Sequence, residues 1–156
     1  MTIAHVVMAG ILLLVLGILY LLVAIRSRSN IYKLAAGVAV AASFLLVWVN
    51  LAVGFIGSED NPANLLYAGV LAVGFIGAVS ARLQPLGMSK AMLAAALTQF
   101  AVPFVAMAIW RPELNLGVLW VIVLNTVFAG LWVAAGWLFR RAGIAGADLS
   151  SRQQVA

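Results

Sequence analysis

The sequence predicts an all-α fold: a polytopic transmembrane bundle of five spans, with the N-terminus outside and the C-terminus inside. Of its 156 residues 66% are hydrophobic and only 8% charged, against about one charged residue in four in soluble domains. A water-soluble globule is thereby excluded. Five apolar runs follow one another, each near the ~20 residues that a helix needs to cross a hydrocarbon core of about 30 Å. Lys and Arg collect in alternate connections between these runs, as basic loops do when they stay on the cytoplasmic side.

The first run, Ile3 to Ile25, has no basic segment before it; its charges, Arg26 and Arg28, come after. It therefore reads as a retained anchor and not as a cleaved signal peptide. Leu34 to Gly57 is the second run, and Ser58-Glu-Asp-Asn-Pro62 separates it from the third, Ala63 to Ala81. Arg82-Leu-Gln-Pro-Leu-Gly87 leads to the fourth, Met88 to Trp110, and Arg111-Pro-Glu-Leu-Asn115 to the fifth, Leu116 to Phe139. Each break carries turn chemistry and none is long enough to be a domain. Residues 1–142 thus form one transmembrane domain, and 143–156 a short cytoplasmic tail.

Orientation rests on the basic residues. Arg26, Arg28 and Lys33, then Arg82 and Lys90, then Arg140, Arg141 and Arg152 share one side when there are five spans, leaving Arg111 on the other. Tyr20, Tyr32, Tyr67, Trp110 and Trp137 fall near span ends, where amphipathic rings favour the headgroup level. Trp48, Trp120 and Trp132 lie deeper and are expected to pack against glycine-rich neighbours. The net charge of +5 is scattered over nine Lys and Arg against four Asp and Glu, so it makes no nucleic-acid-binding patch. With no cysteine, disulfides, thiolate metal sites and cysteine nucleophiles are excluded.

No Asp, Glu, Lys, Arg or His lies in the middle of a span, which is where proton relays and ion-coupled transporters place an ionisable group. The single histidine, His5, sits at the outer mouth of the first span and reads as an interface residue, the alternative being a haem or metal ligand. The spans instead carry neutral polar residues: Asn50 and Ser43, Thr98 and Gln99, Asn125 and Thr126. Counting ~1.5 Å per residue places Gln99 and Asn125 both near the midplane, within reach of a shared hydrogen bond. An interhelical amide pair contributes about 0.5–2 kcal/mol to helix association. The alternative is that Asn50, Gln99 and Asn125 line a path for a small polar solute.

Small residues recur at four-residue spacing, as Gly37 with Ala41, Gly74 with Ala78, Gly77 with Ala81 and Gly130 with Ala134, and such faces let backbones approach closely. Pro103 lies within the fourth span and is expected to bend it. The heptapeptide Leu-Ala-Val-Gly-Phe-Ile-Gly occurs at Leu51–Gly57 and again at Leu71–Gly77; its copies fall at different depths, unlike the halves of an inverted-repeat transporter. In the outer connection, Asp60 or Asn61 reads as a helix N-cap with Pro62 in the first turn. Alternatively, Glu59, Asp60, Asn61 and Asn64 form a shallow recognition site for a partner or a divalent cation.

From Lys33 to about Ala142 the chain resembles a family of uncharacterised bacterial inner-membrane proteins. The residues that carry the resemblance are Val49-Asn-Leu-Ala-Val-Gly-Phe-Ile-Gly-Ser-Glu-Asp-Asn-Pro-Ala-Asn-Leu65 and Tyr67-Ala-Gly-Val-Leu-Ala-Val-Gly. The resemblance implies a four-span core, here preceded by one extra span, and a bacterial inner-membrane location; it brings no activity and no site residue. No phosphate loop, nucleophile elbow or zinc motif is present. The expectation is a non-enzymatic protein without catalytic residues, metal or cofactor. Its partners would be the lipid bilayer and another membrane protein or a second copy of itself. It would act as an accessory, assembly or scaffold component through helix–helix interaction; the alternative is a small oligomeric channel or transporter for a neutral or weakly polar solute.

Overall fold

A computed structural model describes residues 3–52, 54–57 and 60–155, the side chains of His5 and Ala9 excepted. Glu59 and the His5 imidazole, both singled out above, lie outside the described set. The described chain is helical without strands, and five helices are long and apolar enough to cross a membrane. They are α1 (Ile3–Ala24), α2 (Asn30–Ala52), α3 (Leu66–Ser80, preceded by a 3-10 turn at Pro62–Leu65), α4 (Pro85–Trp110) and α5 (Leu116–Val155).

Helix starts depart from the apolar runs for a local reason. Ser29 Oγ accepts the Tyr32 N–H at 3.3 Å, so α2 begins four residues before Leu34, at the cap. Pro85 opens α4 at a first-turn position that needs no N–H. The second run ends early: α2 stops at Ala52, and Gly54 and Gly57 both take positive φ, at 76° and 72°. L side chains avoid that conformation. The tail, in contrast, is part of α5, which runs 40 residues to Val155. At ~1.5 Å per residue this is about 60 Å, twice the hydrocarbon thickness.

Packing follows the order α1, α2, α5, α4, α3, each helix resting mainly on its neighbours in that series. The interfaces are rich in alanine: Ala35, Ala36, Ala39 and Ala42 on α2, Ala91, Ala95 and Ala96 on α4, Ala129 and Ala135 on α5, all buried. Two of the small-residue pairs part company here. A Cβ on Gly77 would sit 2.6 Å from Ala91 Cβ, so α3 and α4 touch there through the missing side chain. Gly130 and Ala134, in contrast, are exposed on the outside of α5. α4 passes through Pro103 as one unbroken helix, with Pro103 buried.

At one end of the bundle, the Tyr32 hydroxyl donates to the Leu83 carbonyl at 2.6 Å, and its ring meets Phe139 edge-on at 5.1 Å. This ties the start of α2 to the α3–α4 turn. Tyr32 is therefore buried inside the bundle, at 1% exposure, although its place near a span end predicts an interface ring. The turn that it holds is strained. α3 ends with Leu83 N–H on Ala78 O and Arg82 N–H on Val79 O, and Arg82 and Leu83 both have left-handed φ, at 50° and 60°. Such a termination favours glycine, and each non-glycine residue costs about 1–2 kcal/mol.

Candidate functional site

The buried polar residues converge between α3, α4 and α5. Gln99 Nε2 donates to Asn125 Oδ1 at 2.9 Å, and Asn125 Nδ2 donates to the Tyr67 hydroxyl at 2.8 Å and to Val121 O at 2.8 Å. Gln99 and Asn125 are fully buried and Tyr67 nearly so. In hydrocarbon an unpaired amide is expensive, so this chain of bonds holds three helices in one register. Phe55 closes it from the side of the α2–α3 connection, its ring 4.8 Å from Tyr67 and 5.0 Å from Phe128.

Pro103 is one turn along α4 from Gln99. Having no N–H, it leaves the Gln99 carbonyl without its usual helical donor, and the Gln99 side-chain oxygen likewise has no partner. Acceptors are thus in excess at the centre of the relay.

The remaining neutral polar residues stay on their own helices. Asn50 Nδ2 donates to Leu46 O at 2.8 Å, and Asn50 Oδ1 is buried without a partner. Asn50 therefore joins neither Gln99 nor Asn125. Ser43, Thr98 and Thr126 give their hydroxyl protons to carbonyls four residues back, at Ala39, Ala94 and Ile122. Back-bonding of this kind satisfies a hydroxyl without reaching a neighbour.

Tyr67 was expected at the headgroup level, and the structure places it inside instead. The signal that marks it as interior is its spacing: Tyr67, Val70 and Gly74 form one buried face, with Gly77 a turn further on against Ala91. Trp132 is also interior, at 2% exposure, and its Nε1 has no partner among the described residues. Trp120 faces outward at 65% exposure, and Trp110 and Trp137 are also exposed.

In the connection between α2 and α3 the asparagines serve the backbone. Asn61 Oδ1 accepts from Ala63 N at 2.9 Å and caps the 3-10 turn. Asn64 Oδ1 accepts from Phe55 N at 3.0 Å and Ile56 N at 2.9 Å, so it clamps the stretch after α2 onto the entry of α3. Asp60 is exposed. Among the described residues, no group of three His, Cys, Asp or Glu lies together to hold a metal.

Two cavities accompany this core. A cavity of about 470 Å³ opens at the end of the bundle that carries the α2–α3 and α4–α5 connections, with Phe55, Asn61, Pro103, Trp110, Asn115 and Trp120 in its wall. A groove of about 1010 Å³ lies between α1, α2 and α3, with Trp132 of α5 in its wall. Gln99, Asn125, Tyr67 and Asn50 line neither of these two. Comparison of the chain with protein-family models, curated proteins and solved structures finds no match.

Proposed function

We propose that the protein is a non-catalytic accessory, assembly or scaffold component of a membrane, acting through helix–helix interaction with another membrane protein or a second copy. The observation that carries this reading is the one-sided packing of α1. That helix rests on α2, and among its described side chains only Ala24, at its end, is buried. Val7, Leu14, Ile18 and Leu21 remain exposed along its outer side. The relay of Gln99, Asn125 and Tyr67 supports the same reading, because its hydrogen bonds are spent between helices away from both cavities. So does the end of α5, whose residues 144–155 are exposed beyond the bundle and offer a helical arm to a partner. The setting proposed is a bacterial inner membrane, with the N-terminus outside and the basic end of the bundle in the cytoplasm.

Photo-crosslinking in native membranes from Leu14, Leu21 and Leu149 tests the proposal. A discrete protein adduct of reproducible mass is expected from at least one helix face, and adducts to lipid alone from all three would overturn it. Orientation is read separately from single cysteines at Glu113 and Ser151, both exposed and free of background thiols. An impermeant reagent should label only the first in intact cells.

A further inference from the structure

The groove between α1, α2 and α3 is unlike an ordinary gap between lipid-facing helices in where its charge lies. Along α1 its wall includes the helical stripe Leu12, Leu16, Leu19 and Val23, broadened by Leu22 and Ile25 near its end, and the stripe ends at Arg26. From Leu12 to Arg26 is about 21 Å at ~1.5 Å per residue, long enough to pass the midplane of a ~30 Å core. Arg82, at the end of α3, lies in the same wall, and no acidic residue does. Ser43 is in the wall too, but its hydroxyl proton is already given to Ala39 O. An occupant that fits must be apolar over its length and anionic at one end.

Backbone geometry supplies a second observation. Arg82 occupies the left-handed position that closes α3, where glycine is the favoured residue. Arg82 keeps that position in the wall of the groove, beside Leu83, which shares the left-handed φ. Trp132, whose indole Nε1 has no acceptor among the described residues, is also in the groove wall.

We infer that the groove is a binding site for one anionic phospholipid, an acyl chain lying along the α1 stripe and the phosphate held between Arg26 and Arg82. Basic groups at headgroup depth between helices are the chemistry that selects anionic lipids. On the orientation proposed above, the lipid belongs to the cytoplasmic leaflet. The site goes beyond the interaction role and does not rest on it, since the wall is argued from this chain's own residues.

Native mass spectrometry of the full chain, released from nanodiscs holding equal phosphatidylglycerol and phosphatidylcholine, tests the inference. One retained phosphatidylglycerol per chain is expected, favoured over phosphatidylcholine by about tenfold. Arg26→Gln with Arg82→Gly should bring that preference to parity. Arg82→Gly should at the same time raise Tm, because it relieves the left-handed turn, so loss of lipid cannot be put down to loss of fold. Leu16→Trp, which fills the groove, should lower retention of both lipids, while Arg28→Gln and Arg140→Gln should leave the preference intact. A preference that survives in the double variant, an equal effect from the control arginines, or a wild-type chain that retains no lipid or is released as a lipid-free dimer would overturn it.

Discussion

At Leu71–Gly77 the heptapeptide Leu-Ala-Val-Gly-Phe-Ile-Gly is the middle of α3, whereas at Leu51–Gly57 the same seven residues leave α2 after Ala52 and enter an irregular turn. Phe75 of the helical copy is 61% exposed and Phe55 of the other is 4% exposed. Gly77 gives up its side-chain space to Ala91 of α4, while Gly57 provides a φ of 72° for the turn. Identical local propensity therefore does not decide the outcome. What differs is the company: the second copy continues into Ala78-Val-Ser and lies against the small residues of α4. The first runs into the segment before Pro62, and Asn64 folds back to take the N–H groups of Phe55 and Ile56. The non-helical copy is also the one that covers the amide relay, through Phe55 on Tyr67.

This contrast can be broken by substitution, most strongly at the aromatic. Phe55→Ala should cost about 3 kcal/mol, the lower end for emptying an aromatic site, because lipid removes part of the hydrophobic driving force but not the lost packing. Phe75→Ala, on the exposed copy, should change stability by less than about 0.5 kcal/mol. Reversible unfolding in mixed micelles compares the two, and equal effects would erase the distinction. Next come the closing glycines. Gly77→Leu should cost about 1–3 kcal/mol by forcing α3 from α4, whereas Gly57→Ala should cost about 1–2 kcal/mol through its left-handed φ, its Cβ also falling 3.0 Å from Asn61 Nδ2. Asn64→Ala follows, at about 1–2 kcal/mol for two stranded backbone donors. Faster hydrogen exchange at the Phe55 and Ile56 amides, with the α3 amides unaffected, would mark that loss as local.

The sequence makes the five long apolar helices legible because a helix able to cross a bilayer must be apolar for its whole length, and composition alone reports that. Helix ends are less legible, since they are set by caps. Ser29 and Pro85 start α2 and α4 several residues before the apolar runs begin. The early end of α2 is hidden for a different reason, as Gly54 and Gly57 read the same way as the helical Gly74 and Gly77. Within the site, the meeting of Gln99 and Asn125 follows from depth counting, because the rise per residue of two antiparallel spans fixes which positions share a level. Tyr67 is missed when its nearness to a span end is weighed above its spacing with Val70 and Gly74. The clamp at Asn64 depends on the chain folding back over nine residues, which no local pattern announces.

The central claim is that the interior amides hold helices together and do not line a path. A double-mutant cycle on Gln99→Leu and Asn125→Leu tests it most directly, because coupling separates the pair from the cost of stranding either partner. Each single variant strands an amide in an apolar interior, while the double variant replaces the pair by groups that need no hydrogen bond. The account predicts a favourable wild-type coupling of about 1 kcal/mol, within the range for interhelical polar pairs, and no change in solute flux through reconstituted vesicles. Additive effects within about 0.3 kcal/mol, with folded single variants that alter flux, would contradict it.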